Sequence, residues 1–106
     1  MIARVLTAGV VALLMTGVVQ AADVEAGKEK SRPCAACHGP DGNSQAPDFP
    51  RLAGQYYDYL VKALEDYKTG ARKNPIMAPQ AANLSVRDMQ DLAAYYSHQQ
   101  GLVGKR

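Results

Sequence analysis

Residues 34 to 38 read Cys-Ala-Ala-Cys-His, and Cys34 and Cys37 are the only two cysteines in the chain. Two thiols three positions apart, with an imidazole directly behind the second, form the attachment pattern of a covalent c-type haem. A single helical turn sets Cys34 and Cys37 at roughly the separation of the two vinyl groups on one side of a porphyrin. Once both thioethers form, His38 is pinned beneath the ring as the proximal iron ligand. The rest of the chain then reads as support for that site. A disulfide is permitted in an exported chain. A thioredoxin-like Cys-x-x-Cys needs a βαβ setting that this helical, Gly- and Pro-punctuated sequence lacks. A structural zinc site needs four ligands. Cys34, Cys37, His38 and His98 are the candidates on offer, and the side chains of adjacent Cys37 and His38 point apart.

Met1 to Ala21 reads as a secretory leader, with Arg4 as its positive start, an apolar stretch from Val5 to Val19 and a small-residue cleavage site at Val19-Gln20-Ala21. Cleavage is expected after Ala21, giving an exported, periplasmic domain over residues 22–106. The apolar stretch of about 15 residues falls short of the roughly 20 that a membrane span needs; a retained anchor is the alternative. A single domain this small is near the size where a core alone is marginal. A large covalent cofactor fills that gap, so the apo form is expected to fold poorly. Twelve basic residues less Arg4 stand against ten acidic ones in the mature chain, a balance that gives no sign of nucleic-acid binding.

Asp23 caps a first helix expected over Val24 to Arg32, with Glu25 early and Lys28, Lys30 and Arg32 late, the order that the helix dipole favours. Gly27 interrupts it, which suggests the close approach of another element. Pro33 is expected to close this helix and deliver the chain into the motif. Gly39 to Gly54 is loop, with Asp41 and Asn43 as turn formers and Phe49 and Leu52 as its inward residues. A second helix is expected over Gln55 to Thr69, with Tyr56, Leu60, Ala63, Leu64 and Tyr67 at helical spacing and Gly70 as its stop. The tyrosines at 56, 57, 59 and 67 serve packing at the core or rim, with one hydroxyl free to reach a propionate or the distal ligand. Ala71 to Leu84 reads as irregular, a strap in which Pro75 and Pro79 bracket Met77. Ser85 and Asp88 open the last helix as a short capping box, with Leu84 and Met89 as the hydrophobic staple. Met89, Leu92, Ala93 and Tyr96 form its inner face and Gly101 ends it; Leu102 to Arg106 are expected to fray.

Beyond the leader the chain has two methionines, Met77 and Met89, so the sixth iron ligand is chosen between them, with His98 as an outsider. Met89 has a core role on a capped helix, and His98 lies near the outer end of that helix. Met77 has no competing role, and lies far enough past His38 for the chain to round the haem edge and return on the other face.

The runs Cys34-Ala-Ala-Cys-His-Gly-Pro-Asp-Gly-Asn43, Pro47-Asp-Phe-Pro-Arg-Leu-Ala-Gly-Gln55, Asn74-Pro-Ile-Met-Ala-Pro79 and Leu92-Ala-Ala-Tyr-Tyr96 resemble a class I cytochrome c. The likeness covers nearly the whole mature chain, and is to the small bacterial monohaem kind or to one haem domain of the dihaem cytochrome c4 type. It implies a compact all-α fold of three to four helices around one covalent haem c, with the first and last helices crossing at Gly27 beside Tyr95 or Tyr96. It further implies axial His38 and Met77, with the Pro47 carbonyl receiving the His38 ring N–H. A haem closed on both faces can only change oxidation state. The resemblance therefore implies a monomeric electron carrier rather than an enzyme, in transient contact with membrane complexes: a quinol-oxidising complex as donor, and a terminal oxidase or reductase as acceptor. The alternatives are a dedicated haem subunit of a larger oxidoreductase, and a peroxidase or sensor with a labile Met77.

Overall fold

The computed structural model describes residues 21–101 together with Gly9. Apart from Gly9 and Ala21, the leader reading lies outside the described residues, as does the tail 102–106. The described residues hold five helices and no strand: α1 (Val24–Lys30), α2 (Arg32–His38), α3 (Tyr57–Thr69), α4 (Met77–Ala81) and α5 (Val86–Ser97). The fold is all-α, as the sequence implied.

The Asp23 carboxylate caps α1 by accepting the N–H groups of Glu25 and Ala26 at 2.9 and 3.2 Å. The helix stops at Lys30, short of the expected Arg32, because Ser31 both ends α1 and precedes α2. Pro33 therefore does not close a helix. It sits in the first turn of α2, where its missing N–H has no intrahelical partner to lose. The whole Cys34–His38 motif is carried on this second helix, and Gly39 ends it at φ +84°.

α1 crosses α5 at Gly27, and the reason for glycine is geometric. A Cβ built there would lie 1.9 Å from the Asp91 carbonyl oxygen and 2.8 Å from the Tyr95 Cβ. Beside the crossing the Asp91 carboxylate, 2% exposed, accepts the Asp23 N–H at 2.9 Å, the Lys30 ammonium at 2.8 Å and the Arg87 Nε at 3.1 Å. Lys30 also reaches Asp88 at 2.9 Å.

α5 opens as expected: Ser85 Oγ accepts the Asp88 N–H at 3.0 Å, and the Asp88 carboxylate accepts the Ser85 N–H at 2.9 Å. Met89, Leu92, Ala93 and Tyr96 are buried, joined by Ala94 and Tyr95. The helix ends at Ser97 with His98 as its cap, so Gly101 is not its stop. Gly101 instead packs on the loop, where an added Cβ would lie 2.5 Å from the Ala53 Cβ and 2.6 Å from Asn43 Oδ1. Asn43, anchored to Asp41, also donates to the Gln100 carbonyl at 2.8 Å and so ties this loop to the chain beyond α5.

α3 starts at Tyr57, not Gln55, and ends at Gly70 in the left-handed conformation, φ +83°. The strap is not wholly irregular. Asn74 Oδ1 accepts the N–H groups of Ile76 and Met77 at 2.9 and 3.0 Å, which starts the single helical turn of α4. Pro79 is tolerated because it falls in the first turn, where N–H groups have no intrahelical partner.

Candidate functional site

The helices leave a cleft of about 420 Å³ between them, within the usual size range of cofactor sites. Cys34, Cys37 and His38 of α2 line it, as do Phe49 and Leu52 of the loop, Leu60, Ala63 and Leu64 of α3, Met77 of α4 and Leu92, Ala93 and Tyr96 of α5. Its surface is largely apolar, and it brings together the four side chains singled out from sequence.

His38 is buried and its Nδ1 lies 2.8 Å from the Pro50 carbonyl oxygen. A carbonyl accepts only, so Nδ1 carries the proton and Nε2 keeps its lone pair for a metal. The partner is Pro50, not the Pro47 that the resemblance implied. Pro47 lies exposed in a turn closed by Phe49 N–H to the Ala46 carbonyl at 3.2 Å. Bonds from the Leu52 and Ala53 N–H groups to the Gly42 carbonyl, at 2.8 and 3.2 Å, draw the later part of the loop in. Phe49 meets the His38 ring edge-on, with centroids 6.5 Å apart.

Met77 is half-buried at the cleft, its N–H held by Asn74. Met89 is 2% exposed in the core and does not line the cleft. His98 is exposed at the end of α5, where its Nδ1 donates to the Ala94 carbonyl at 2.7 Å. The structure thus brings Met77 to the motif and leaves the other two candidates away from it.

Cys34 and Cys37 are half-buried and are not joined in a disulfide. Burial pushes the Cys34 thiol up, against the opposing effect of the Tyr96 hydroxyl. Burial also pushes the Tyr96 hydroxyl well above its ordinary range. Both groups therefore keep their protons at neutral pH.

Two features of the site escaped the sequence reading. Arg72 lines the cleft with its guanidinium 4.8 Å over the Tyr67 ring, and its Nη1 donates to the Tyr59 hydroxyl at 3.4 Å. A lone arginine in an irregular stretch gave no signal of this. Asn74 starts a helical turn inside a stretch that reads as irregular, although Asn followed by Pro is a helix-start signal.

The residues fit a haem: an apolar cleft between helices, two unbridged thiols on one helical turn, a buried imidazole with its second nitrogen free, and a thioether from a separate element. Such a wrap with such a motif defines a c-type cytochrome, and the chain belongs to the cytochrome c family, whose pattern matches residues 24–100. Haem c is accordingly its cofactor, and Cys34 and Cys37 are the pair that fits the attachment.

Within the family, the chain is similar to cytochrome c4 of Stutzerimonas stutzeri, 46% identical over 111 residues that cover 95% of this chain and 53% of that protein. It is 45% identical over 83 residues to cytochrome c-554(548) of Halomonas halodenitrificans, covering 76% of this chain and 100% of the relative. Among solved structures, reduced recombinant cytochrome c4 from Pseudomonas stutzeri aligns with a TM-score of 0.74 at 48% identity, over 79% of this chain and 49% of that one. The chain spans about half the length of the cytochrome c4 relatives it matches. The likeness to cytochrome c4 is thus to one half of that protein, in sequence and in fold.

Proposed function

We propose that the chain is a periplasmic one-electron carrier and not an enzyme: residues 1–21 are a leader removed after Ala21, and residues 22–106 form one domain holding a single haem c through Cys34 and Cys37, with His38 and Met77 as iron ligands. One observation carries this reading. His38 and Met77, from different elements, line the cleft that holds both cysteines, and the Pro50 carbonyl accepts from His38 Nδ1, which would leave Nε2 to hold a metal.

Bound haem supplies a single redox step, the gain and loss of one electron at iron. The remaining work falls to the chain. Pro50 fixes the tautomer and orientation of His38, the usual role of a partner on the outer nitrogen of a ligating histidine. Met77 offers a soft thioether that favours the ferrous state and raises the potential relative to a second histidine. Met77 and His38, both holding the iron, would leave oxygen or peroxide no place to bind. The apolar walls exclude water and disfavour the extra charge of ferric iron. At the rim Tyr59 and Ile76 are about half exposed, 51% and 53%, which supports a small, fast-exchanging contact with redox partners. The proposed partners are a quinol-oxidising complex as donor and a terminal oxidase or reductase as acceptor. The single-domain reading is supported by the relative whose entire length matches 76% of this chain.

The test is Met77→Ala in the holoprotein. The expected result is loss of the methionine-to-ferric-iron charge-transfer band, a lower potential and new carbon monoxide binding, with the helical signal retained. A variant that keeps the band and the potential overturns the ligand assignment. Wild-type protein that binds carbon monoxide readily overturns the closed-carrier reading and points to a peroxidase or sensor.

A further inference from the structure

Tyr96 stands in the wall of the cleft, 3% exposed, and its hydroxyl is buried without a hydrogen bond of ordinary geometry. Buried hydroxyls are nearly always partnered, because an unmade bond forfeits the water that was given up. The ring is closely packed and its backbone is held. A Cβ on Gly42 would lie 2.7 Å from Tyr96 Cδ1, and the Tyr96 carbonyl is held by the Gly54 N–H at 2.9 Å. The neighbouring tyrosine is the contrast, since Tyr95 Oη donates to the Pro40 carbonyl at 2.8 Å. Packing alone would be served by phenylalanine, so the Tyr96 hydroxyl calls for a partner.

Two polar groups lie beside it, the Cys34 sulfur and Ser31. Ser31 already spends its hydrogen on the Lys28 carbonyl at 2.7 Å, and its oxygen is an acceptor whether or not a cofactor is attached. Cys34 is the group whose chemistry changes when the cofactor is attached. Its S–H adds across a vinyl double bond: a carbon–sulfur and a carbon–hydrogen bond form, the S–H and the π bond break, and nothing is oxidised or reduced overall. The product sulfur has lone pairs and no hydrogen, so it is an acceptor only, and Tyr96 faces it with an unused donor.

We propose that Tyr96 is a positioning residue for the cofactor, its hydroxyl donating a hydrogen bond to the Cys34 thioether sulfur. The inference rests on the attachment reading given above. The bond holds that sulfur and the ring edge in one orientation. By drawing electron density away from the porphyrin it also favours the reduced state.

The experiment uses holoprotein. Tyr96→Phe removes one oxygen and keeps the ring, with intact mass confirming both thioethers and circular dichroism confirming the fold. The expected result is a lower midpoint potential and a shifted carbon–sulfur stretching band in the resonance Raman spectrum. That band should respond to D2O in wild type and not in the variant. In a Cys34→Ala background, attached through Cys37 alone, Tyr96→Phe should move the potential no further. Tyr96→Phe protein attached only through Cys37 also supports the proposal, as a stricter dependence of the Cys34 linkage on the hydroxyl. An unchanged potential and band in Tyr96→Phe, or an equal shift in both backgrounds, overturns it and returns the hydroxyl to Ser31. Should the variant not fold, the wild-type band decides, since insensitivity to D2O overturns the proposal. Wild-type protein whose mass shows no Cys34 thioether overturns the attachment reading as well, and so separates the two failures.

Discussion

Where α1 meets α5, the chain closes on itself without help. Gly27 lets backbone touch backbone, and Asp91 collects a backbone N–H, an ammonium and a guanidinium. At adjacent positions of the same helix, Leu92, Ala93 and Tyr96 form one wall of a cleft of about 420 Å³ that no side chain fills. The first region takes its shape from contacts within the chain; the second is shaped to receive something else. Residues at the crossing should therefore govern stability, and residues around the cleft should govern the spectrum and potential of the haem.

The largest break should come from Gly27→Val, because the added carbons meet a carbonyl rather than a side chain that could turn away. Overpacking a core commonly costs about 1–3 kcal/mol, and an immovable backbone places this case beyond that range, so recovery of folded holoprotein from expression should fail. Met89→Ala comes next. A buried large-to-small change of this kind costs about 2–5 kcal/mol, read as a lower urea midpoint, while the ligation spectrum of the protein that remains folded should not change.

Acid should loosen the crossing. Burial alone pushes the Asp91 carboxyl up, but Lys30, the Asp23 N–H and Arg87 outweigh it and hold the group below its ordinary value of 3.8. Asp88 is lowered too, first by the Ser85 N–H and then by Lys30. Groups lowered in the folded state add stability that is fully present above 3.8 and is lost as pH falls through their folded values. Melting temperature should therefore drop below about pH 4 in wild type and fall less steeply in Asp91→Asn. Ser85→Ala removes one cap and should cost about 1 kcal/mol by urea titration. The smallest stability change belongs to Met77→Ala, under about 1 kcal/mol for a half-buried side chain on a short strap. If Met77→Ala instead destabilises as much as Met89→Ala, the division between the two regions is wrong.

The crossing was the more legible region, for a physical reason. Caps, a glycine in mid-helix and a 3.6-residue apolar stripe are local signals, and Asp23, Gly27, Ser85, Asp88 and Leu92 all stand where local rules put them. Asp91 is an exception. A carboxylate on an exposed-looking face gives no hint that three donors converge on it from three places in the chain. Around the cleft the motif itself was plain, whereas its surroundings depended on the path of a loop without periodicity. Proline is ambiguous there: Pro33 starts a helix where the sequence suggested an end, and Pro50 supplies the carbonyl expected of Pro47. Gly101 follows a helix as a stop signal would, while here it is required by contact with Ala53 and Asn43.

The hydrogen bonds that fasten this chain also set an order of events. Asp23 is joined to Asp91 across 68 positions, Asn43 to Gln100 across 57 and Pro40 to Tyr95 across 55. Contacts so distant in sequence close large loops and slow the approach to the native state. A chain made from its first residue onward therefore presents Cys34, Cys37 and His38 in the open long before the residues that will bury them exist. Burial of Cys34 against Leu92, Ala93 and Tyr96 must therefore wait for α5.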